Sequence, residues 1–404
     1  MRYNIWTDCE RRPLPDVLSF VVDNRGKTVP TDPEGAYQLI ATNCIRNENL
    51  YPSYDKVRFL NAETYNNWFR AHPIPGDILF VCKGTPGRCC LVPNPIDFCI
   101  AQDMVALRTN PDIMYNKYLL AVLRSPEIQA QITNTSVGDV IPHFKKSFFD
   151  TLMIPVPPLE VQRTIGDYYY AFCSKQELNK KINENLLQQA QALFVSWFID
   201  YEPFNGIKPE EWRDMSVYDL AEYINGAAFK KDEYADFGLP IIKIAELKNG
   251  ITDSTQRCCV TKDAKYYIDD RDILFSWSGN PDTSIDTFIW SLGRAILNQH
   301  TFRVVSKYDA PAFTFFLLKY LKPQFTHIAS NKQTTGLGHV TVADLKRLQF
   351  CANENAIKEF NALAMPFFDM IFSNYKEIQH LSTLRDTLLP QLMSGELDVS
   401  NLDF

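Results

Sequence analysis

Residues 159–198 read LEVQRTIGDYYYAFCSKQELNKKINENLLQQAQALFVSWF. The stretch holds one glycine, Gly166, and no proline, and Pro157-Pro158 just ahead of it is an extended lead-in that opens a helix. At about 1.5 Å per residue such a helix spans roughly 60 Å. No compact domain needs a helix of that length, so it reads as a spacer or a partner surface. Ile165, Phe172, Asn179, Leu186 and Leu193 recur every seven residues, the mark of a coiled-coil seam. A polar residue in such a seam costs stability but fixes register.

The same pattern returns 195 residues later as Phe360, Phe367, Asn374, Leu381 and Leu388, again with asparagine in the middle. Two helices with matching seams are expected to pack antiparallel and to bring Asn179 and Asn374 together; the alternative is that each asparagine faces solvent on a slightly rotated helix. Pro366 interrupts the second pattern. The expectation is a short helix before it and a long one from Pro366 to about Pro390, roughly 36 Å in length.

Working outward, the offset of 195 also relates Asp77-Ile78-Leu79-Phe80 to Asp272-Ile273-Leu274-Phe275, and with one slipped residue His143 and Leu152 match His339 and Leu348. The chain therefore reads as globular unit, helix, globular unit, helix, a repeat too long for a solenoid. Each unit opens with an alternating apolar stretch (Val17 to Val22; Leu220 to Ile224) and a turn, then a short strand (Tyr37 to Ala41; Pro240 to Ala245). The Ile-Leu-Phe strand follows, and then a short helix (Lys117 to Leu123; Ala312 to Leu321). The expected class is α/β of the α+β kind: two similar globular domains separated by two long antiparallel helices forming a coiled coil, with pseudo-twofold symmetry. The expected boundaries are 1–157, 158–205, 206–353 and 354–404. Rods of 36–60 Å would match one to two turns of B-DNA at roughly 34 Å each, a device for reading two half-sites at fixed spacing.

Three polar clusters are candidate nucleic-acid contacts. The turn after each Ile-Leu-Phe strand carries Lys83, Thr85 and Arg88 in the first copy and Trp277, Ser278 and Asn280 in the second. Glycines there let backbone amides approach phosphates, and the side chains supply donors for phosphates or base edges; a plain tight turn has the same composition. A polar stretch before each unit's last strand carries His143, Lys145 and Lys146, and in the second copy Gln333, Thr334 and His339. Asparagine and glutamine read adenine edges and lysine reaches phosphate or guanine, although a lone polar loop is usually just solvated. The third cluster, Asn298-Gln299-His300, has no obvious copy in the first unit, so the two sites are expected to read different bases.

The net charge of −7 looks wrong for a DNA binder. By segment, however, residues 1–157 carry 16 basic and 16 acidic residues and residues 206–353 carry 18 of each. The acidity sits in residues 158–205 and 354–404, which leaves both globular units able to present a basic face. Ten cysteines include no C-x-x-C pair, so buried reduced thiols are expected rather than zinc or disulfides. No apolar run approaches the roughly 20 residues of a membrane span and no signal peptide is visible, which points to the cytoplasm.

Several segments together resemble the specificity subunit of type I restriction-modification systems. Ile154-Pro155-Val156-Pro157-Pro158-Leu159-Glu160-Val161-Gln162 is similar to its central-region signature, and Leu187 to Phe198 to the end of its first long helix. The run from Leu384-Arg385-Asp386-Thr387-Leu388-Leu389-Pro390 through Gln391 to Leu397 resembles its C-terminal signature, and Gly76 to Phe80 and Asp272 to Gly279 the core of its target recognition domains. The resemblance implies that each recognition domain reads one half of a split DNA sequence while the helices set the spacing and dock two modification subunits. It implies S-adenosylmethionine on those methyltransferase subunits, ATP and magnesium on restriction subunits that translocate and cut, and no cofactor, metal or catalytic residue on this chain. Gln349-Phe350-Cys351-Ala352-Asn353, where the first copy has its proline signature, departs from the pattern and bears on the second domain boundary.

Catalytic patterns are missing: there is no G-x-x-x-x-G-K-[ST], no H-E-x-x-H, no adenine-methyltransferase tetrapeptide, and Ser276-Trp277-Ser278-Gly279 lacks the first glycine of a nucleophile elbow. DNA recognition is the leading expectation. The alternatives are an assembly scaffold whose units bind protein only, which a domain swap would separate from it, and a hidden hydrolase, which nucleotide turnover by the isolated chain would reveal.

Overall fold

Ile78–Val81 is a strand buried at all four positions. Side chains alternate across a strand, so Ile78 and Phe80 enter one core with Tyr118 and Ile165, while Leu79 and Val81 enter another with Val22, Ile40 and Ile100. Ile273–Ser276 repeats this: Ile273 and Phe275 pack with Phe313 and Phe360, and Leu274 with Ile242 and Trp290. The duplicated strand is a partition between two apolar layers, which is why no polar side chain interrupts Ile-Leu-Phe. The aspartate ahead of it is structural. Asp77 is 2% exposed and takes two bonds of 3.0 Å from Arg108. Asp272 accepts from the Asp269 amide at 2.8 Å; burial pushes its carboxyl up, against that bond and the neighbouring Arg303.

The computed structural model describes residues 3–397 except 25, 27, 55, 139, 334 and 335. The chain divides into two units, Met1–Leu178 with His380–Phe404, and Asn179–Gln379. In the first, an antiparallel sheet runs in the order Leu18–Val22, Met104–Thr109, Ile78–Val81, Cys89–Leu91. A smaller sheet pairs Tyr37–Ile40 parallel with Phe98–Ile100 and antiparallel with Arg58–Leu60, and Glu10–Pro13 pairs with Met153–Val156. The second unit has the same order, Ala221–Asn225, Thr301–Ser306, Ile273–Ser276, Asp286–Ile289. It has the same parallel pair, Leu239–Ile242 with Ala295–Leu297, and the same closing ribbon, Arg213–Ser216 with Gln349–Ala352. The residues that depart from the proline signature, Gln349 to Ala352, thus form the strand equivalent to Met153–Val156.

The long helices run Leu159–Phe198 and Glu354–Ser394. The expected break at Pro366 and stop near Pro390 do not occur. Both prolines are exposed, and so are Ala362 and Asp386, whose carbonyls lose their helical partner. Water can satisfy those carbonyls, while Ala364, Phe368 and Ile371 hold the opposite face in the core. Gln162, fully buried, fastens the start of the first helix: its side chain accepts from the Tyr115 amide at 2.8 Å and donates to the Ile113 and Pro157 carbonyls at 2.9 and 2.8 Å. Gly166 is required where the helix Asn116–Leu123 crosses, since a Cβ there would lie 2.6 Å from the Tyr118 amide nitrogen.

Of the seam residues, Ile165, Asn179 and Phe360 are buried, whereas Phe172, Leu186, Leu193, Phe367, Asn374, Leu381 and Leu388 are half-buried. A second row lies deeper on the first helix: Gln162, Tyr169, Gln176, Asn183, Ala190 and Trp197, also seven apart. Its match on the other helix includes Ile357, Ala364, Ile371 and Leu392. Inside the unit Asn179–Gln379, Asn179 donates to Glu377 Oε2 at 2.7 Å, and Phe194 and Phe198 lie 5.5 and 5.2 Å from the Phe360 ring. Rising numbers on one helix meet falling numbers on the other, so these segments are antiparallel. The expected Asn179–Asn374 pair is displaced by one helical turn: Asn374 donates to Asn183 Oδ1 at 2.7 Å. The displacement follows from the deeper row, which puts Asn183 rather than Asn179 opposite Asn374. In the other unit Gln176 donates to Ser382 Oγ at 2.7 Å, again antiparallel with Tyr169 beside Arg385.

Candidate nucleic-acid interface

In the unit that begins the chain, the turn after Ile78–Val81 bends at Gly84 and Gly87, with φ of +87° and +91°. From it Lys83 forms an antiparallel bridge to His143, which bridges in turn to Val137. The Gly84 amide donates to the Pro142 carbonyl at 2.9 Å and the Phe144 amide to the Cys82 carbonyl at 2.8 Å. Two segments some sixty residues apart in sequence, singled out for their polar character, are zipped edge to edge. The second unit does the same with different residues. Ser278 pairs with His339 and Gly279 with Gly338, and the Val340 amide donates to the Trp277 carbonyl at 2.8 Å.

The third cluster adjoins both. Trp277 donates from Nε1 to Asn225 Oδ1 at 3.3 Å, and its ring centroid lies 5.8 Å from that of His300. Asn298 is buried and its Oδ1 accepts from the His300 amide at 3.3 Å, so its side chain shapes the turn. The topological counterpart in the first unit is Ala101-Gln102-Asp103, between Phe98–Ile100 and Met104–Thr109. Gln102 and Asp103 have positive φ, Gln102 donates to Thr28 Oγ1 at 3.2 Å, and the Asp103 carbonyl receives the Cys82 and Lys83 amides. Sequence reasoning missed this turn because the repeat offset drifts: the strand after it begins 197 residues before its counterpart, not 195.

The two faces differ in charge. In the first unit Lys83, Arg88, Lys145 and Lys146 are exposed and Thr85 is half-buried; Lys83 lies 3.9 Å from Asp103 and Lys146 3.5 Å from Asp23. In the second, Gln333 and Asn280 are exposed, Trp277, Ser278 and His339 are half-buried, and Thr334 lies outside the described residues. Asn280 caps the helix Pro281–Ser284 through bonds from the Asp282 and Thr283 amides at 3.1 and 3.2 Å. Lys332 is tied down by Asp344. Burial opposes ionisation of Asp344, but bonds from Lys332 and Thr341 hold its carboxyl well below the usual carboxylate range. One face is therefore suited to phosphate and the other to polar and stacking contacts. Among the described residues, no group of three or more His, Cys, Asp or Glu could hold a metal ion, and no helix is long and apolar enough to cross a membrane.

Comparison with known proteins agrees with this duplication. The family model described as the type I restriction modification DNA specificity domain matches residues 8–188 and again 209–351. The type I restriction enzyme MjaIX specificity subunit of Methanocaldococcus jannaschii is 26% identical over 312 residues, covering 72% of this chain and 71% of its own. The HindI specificity subunit of Haemophilus influenzae is 22% identical over 402 residues, covering 80% and 86%. Among solved structures, the type I restriction-modification S subunit from M. genitalium shares the fold with a TM-score of 0.53 at 14% identity, over 96% of both chains. With both halves matched by one family model, this chain belongs to the type I restriction-modification DNA specificity family.

Proposed function

We propose that this chain is the sequence-recognition subunit of a type I restriction-modification complex, with each globular unit reading one half of a bipartite DNA site. The observation that carries this reading is the twice-built loop pair: in both units the turn after the central strand is bridged to the polar loop before the last strand, at Lys83–His143 and at Ser278–His339. A binding surface assembled twice on one framework from different side chains is what reading two unlike half-sites requires. The long helices would set the spacing between the half-sites and dock two modification subunits. S-adenosylmethionine, ATP and magnesium would sit on those and the restriction subunits, and this chain would supply no catalytic group.

The test is a domain swap. Residues 14–157 are replaced by the corresponding domain of another specificity subunit, and methylated adenines are mapped in cells expressing the hybrid with its modification subunit. Half of the methylated sequence should change and the other half should stay. An unchanged sequence would leave only a protein-binding scaffold.

A further inference from the structure

Ile141 and Leu337 occupy equivalent places, each two residues ahead of the histidine that closes the loop bridge, His143 and His339. Both are aliphatic and both are exposed, at 54% and 57%, and Val140 beside Ile141 is 92% exposed. A single exposed aliphatic residue says little. The same exposed aliphatic position on two loops that share little else but the closing histidine is not accounted for by packing. The described backbone beside each is held in place. In the first, Val137 and His143 exchange bonds of 3.0 and 2.8 Å, and a Cβ on Gly138 would lie 2.7 Å from the Ile141 carbonyl oxygen. In the second, a Cβ on Gly338 would lie 2.2 Å from the Ala329 carbonyl oxygen, so the backbone next to Leu337 lies flat on the helix Lys322–Ser330. Each exposed aliphatic side chain thus stands beside braced backbone. The first tip is flanked by the exposed cations Lys83, Lys145 and Lys146, which favour a polyanion over an apolar protein surface.

We propose that Ile141 and Leu337 are wedges that insert between stacked base pairs of duplex DNA, one in each half-site. The inference rests on the DNA-recognition reading above and adds a mechanism to it. An aliphatic side chain entering a base step replaces lost stacking with apolar contact and kinks the duplex, so the sequence is read partly through how readily that step opens. Pyrimidine–purine steps, the most easily unstacked, are the expected targets.

The experiment uses the full chain assembled with its modification subunits and a duplex carrying the sequence found by methylated-adenine mapping. 2-Aminopurine is placed at successive positions other than the methylated adenines. The wild-type complex should raise fluorescence at one step in each half-site. Ile141→Ser should abolish the rise in one half only and Leu337→Ser in the other, each with affinity lower by about 10-fold and an unchanged salt slope. Ile141→Met should restore the signal. Wild-type binding without any rise, serine variants that unstack as well as wild type, or serine variants that instead lose their modification subunits would each overturn the wedge while leaving DNA recognition standing. A wild-type complex that binds no duplex would overturn both.

Discussion

Arg108 shows how one side chain holds the framework under the candidate interface. It is part-exposed, whereas its partner Asp77 is buried at the head of the central strand. Removing the guanidinium leaves a buried carboxylate without its cation, which typically costs about 3 kcal/mol. Arg108→Ala should therefore lower the unfolding free energy by that measure, read by circular dichroism as a lower urea midpoint. Arg88→Ala, an exposed position, should move stability by less than about 0.5 kcal/mol. The contrast separates residues that build the framework from residues available to a ligand. The sequence alone could not draw it, because the Asp of Asp-Ile-Leu-Phe is no different on paper from the other acids of the first unit. The same holds for Asn298, a polar residue in a polar run that the fold turns inward. Burial is decided by strands far away in the chain.

At the level of elements, periodicity carried most of the information. The Ile-Leu-Phe strands are legible from their recurrence 195 residues apart, and the long helices, apart from the stretch around Pro366, from their seven-residue apolar pattern. Two features depart from the sequence expectation, each for its own reason. The apolar members of the seam, Ile165, Phe172, Leu186 and Leu193, mark one row, but the deeper row includes Gln162, Gln176 and Asn183, whose polar side chains find partners inside the fold. A hydrophobic pattern cannot show a polar residue that is buried because it is satisfied. Proline removes a hydrogen bond, which predicts a break at Pro366, but on an exposed face water can satisfy the orphaned carbonyl and the packed face decides. Proline is still a poor helix former at an interior position. Pro366→Ala should restore the bond to the Ala362 carbonyl and stabilise the chain by about 1–3 kcal/mol, read as a higher urea midpoint with the slope unchanged. A lower midpoint would mean that the proline's packing, not its backbone, is what the helix needs there.

For the whole molecule, duplication settles architecture while leaving specificity open, because the same sheet order presents different chemistry twice. The acidic total of −7 obscures this. The cations at the candidate surface belong to the first unit's loops, while Lys332, in the second unit's polar stretch, is held by Asp344. Phosphate contacts release counterions and so set the salt dependence, with a slope of about 0.9 per neutralised phosphate, whereas contacts to base edges leave that slope alone. Replacing Lys83, Arg88, Lys145 and Lys146 together by alanine in the assembled complex should reduce the slope of log affinity against log salt by about 3. The reduction falls short of one phosphate per cation because Asp103 and Asp23 already offset Lys83 and Lys146. Gln333→Ala should leave the slope unchanged and relax the methylated sequence in one half only. Equal slopes for wild type and the four-alanine protein would place the phosphate contacts elsewhere on the surface. A Gln333→Ala effect spread over both halves would show that the two units do not read independently.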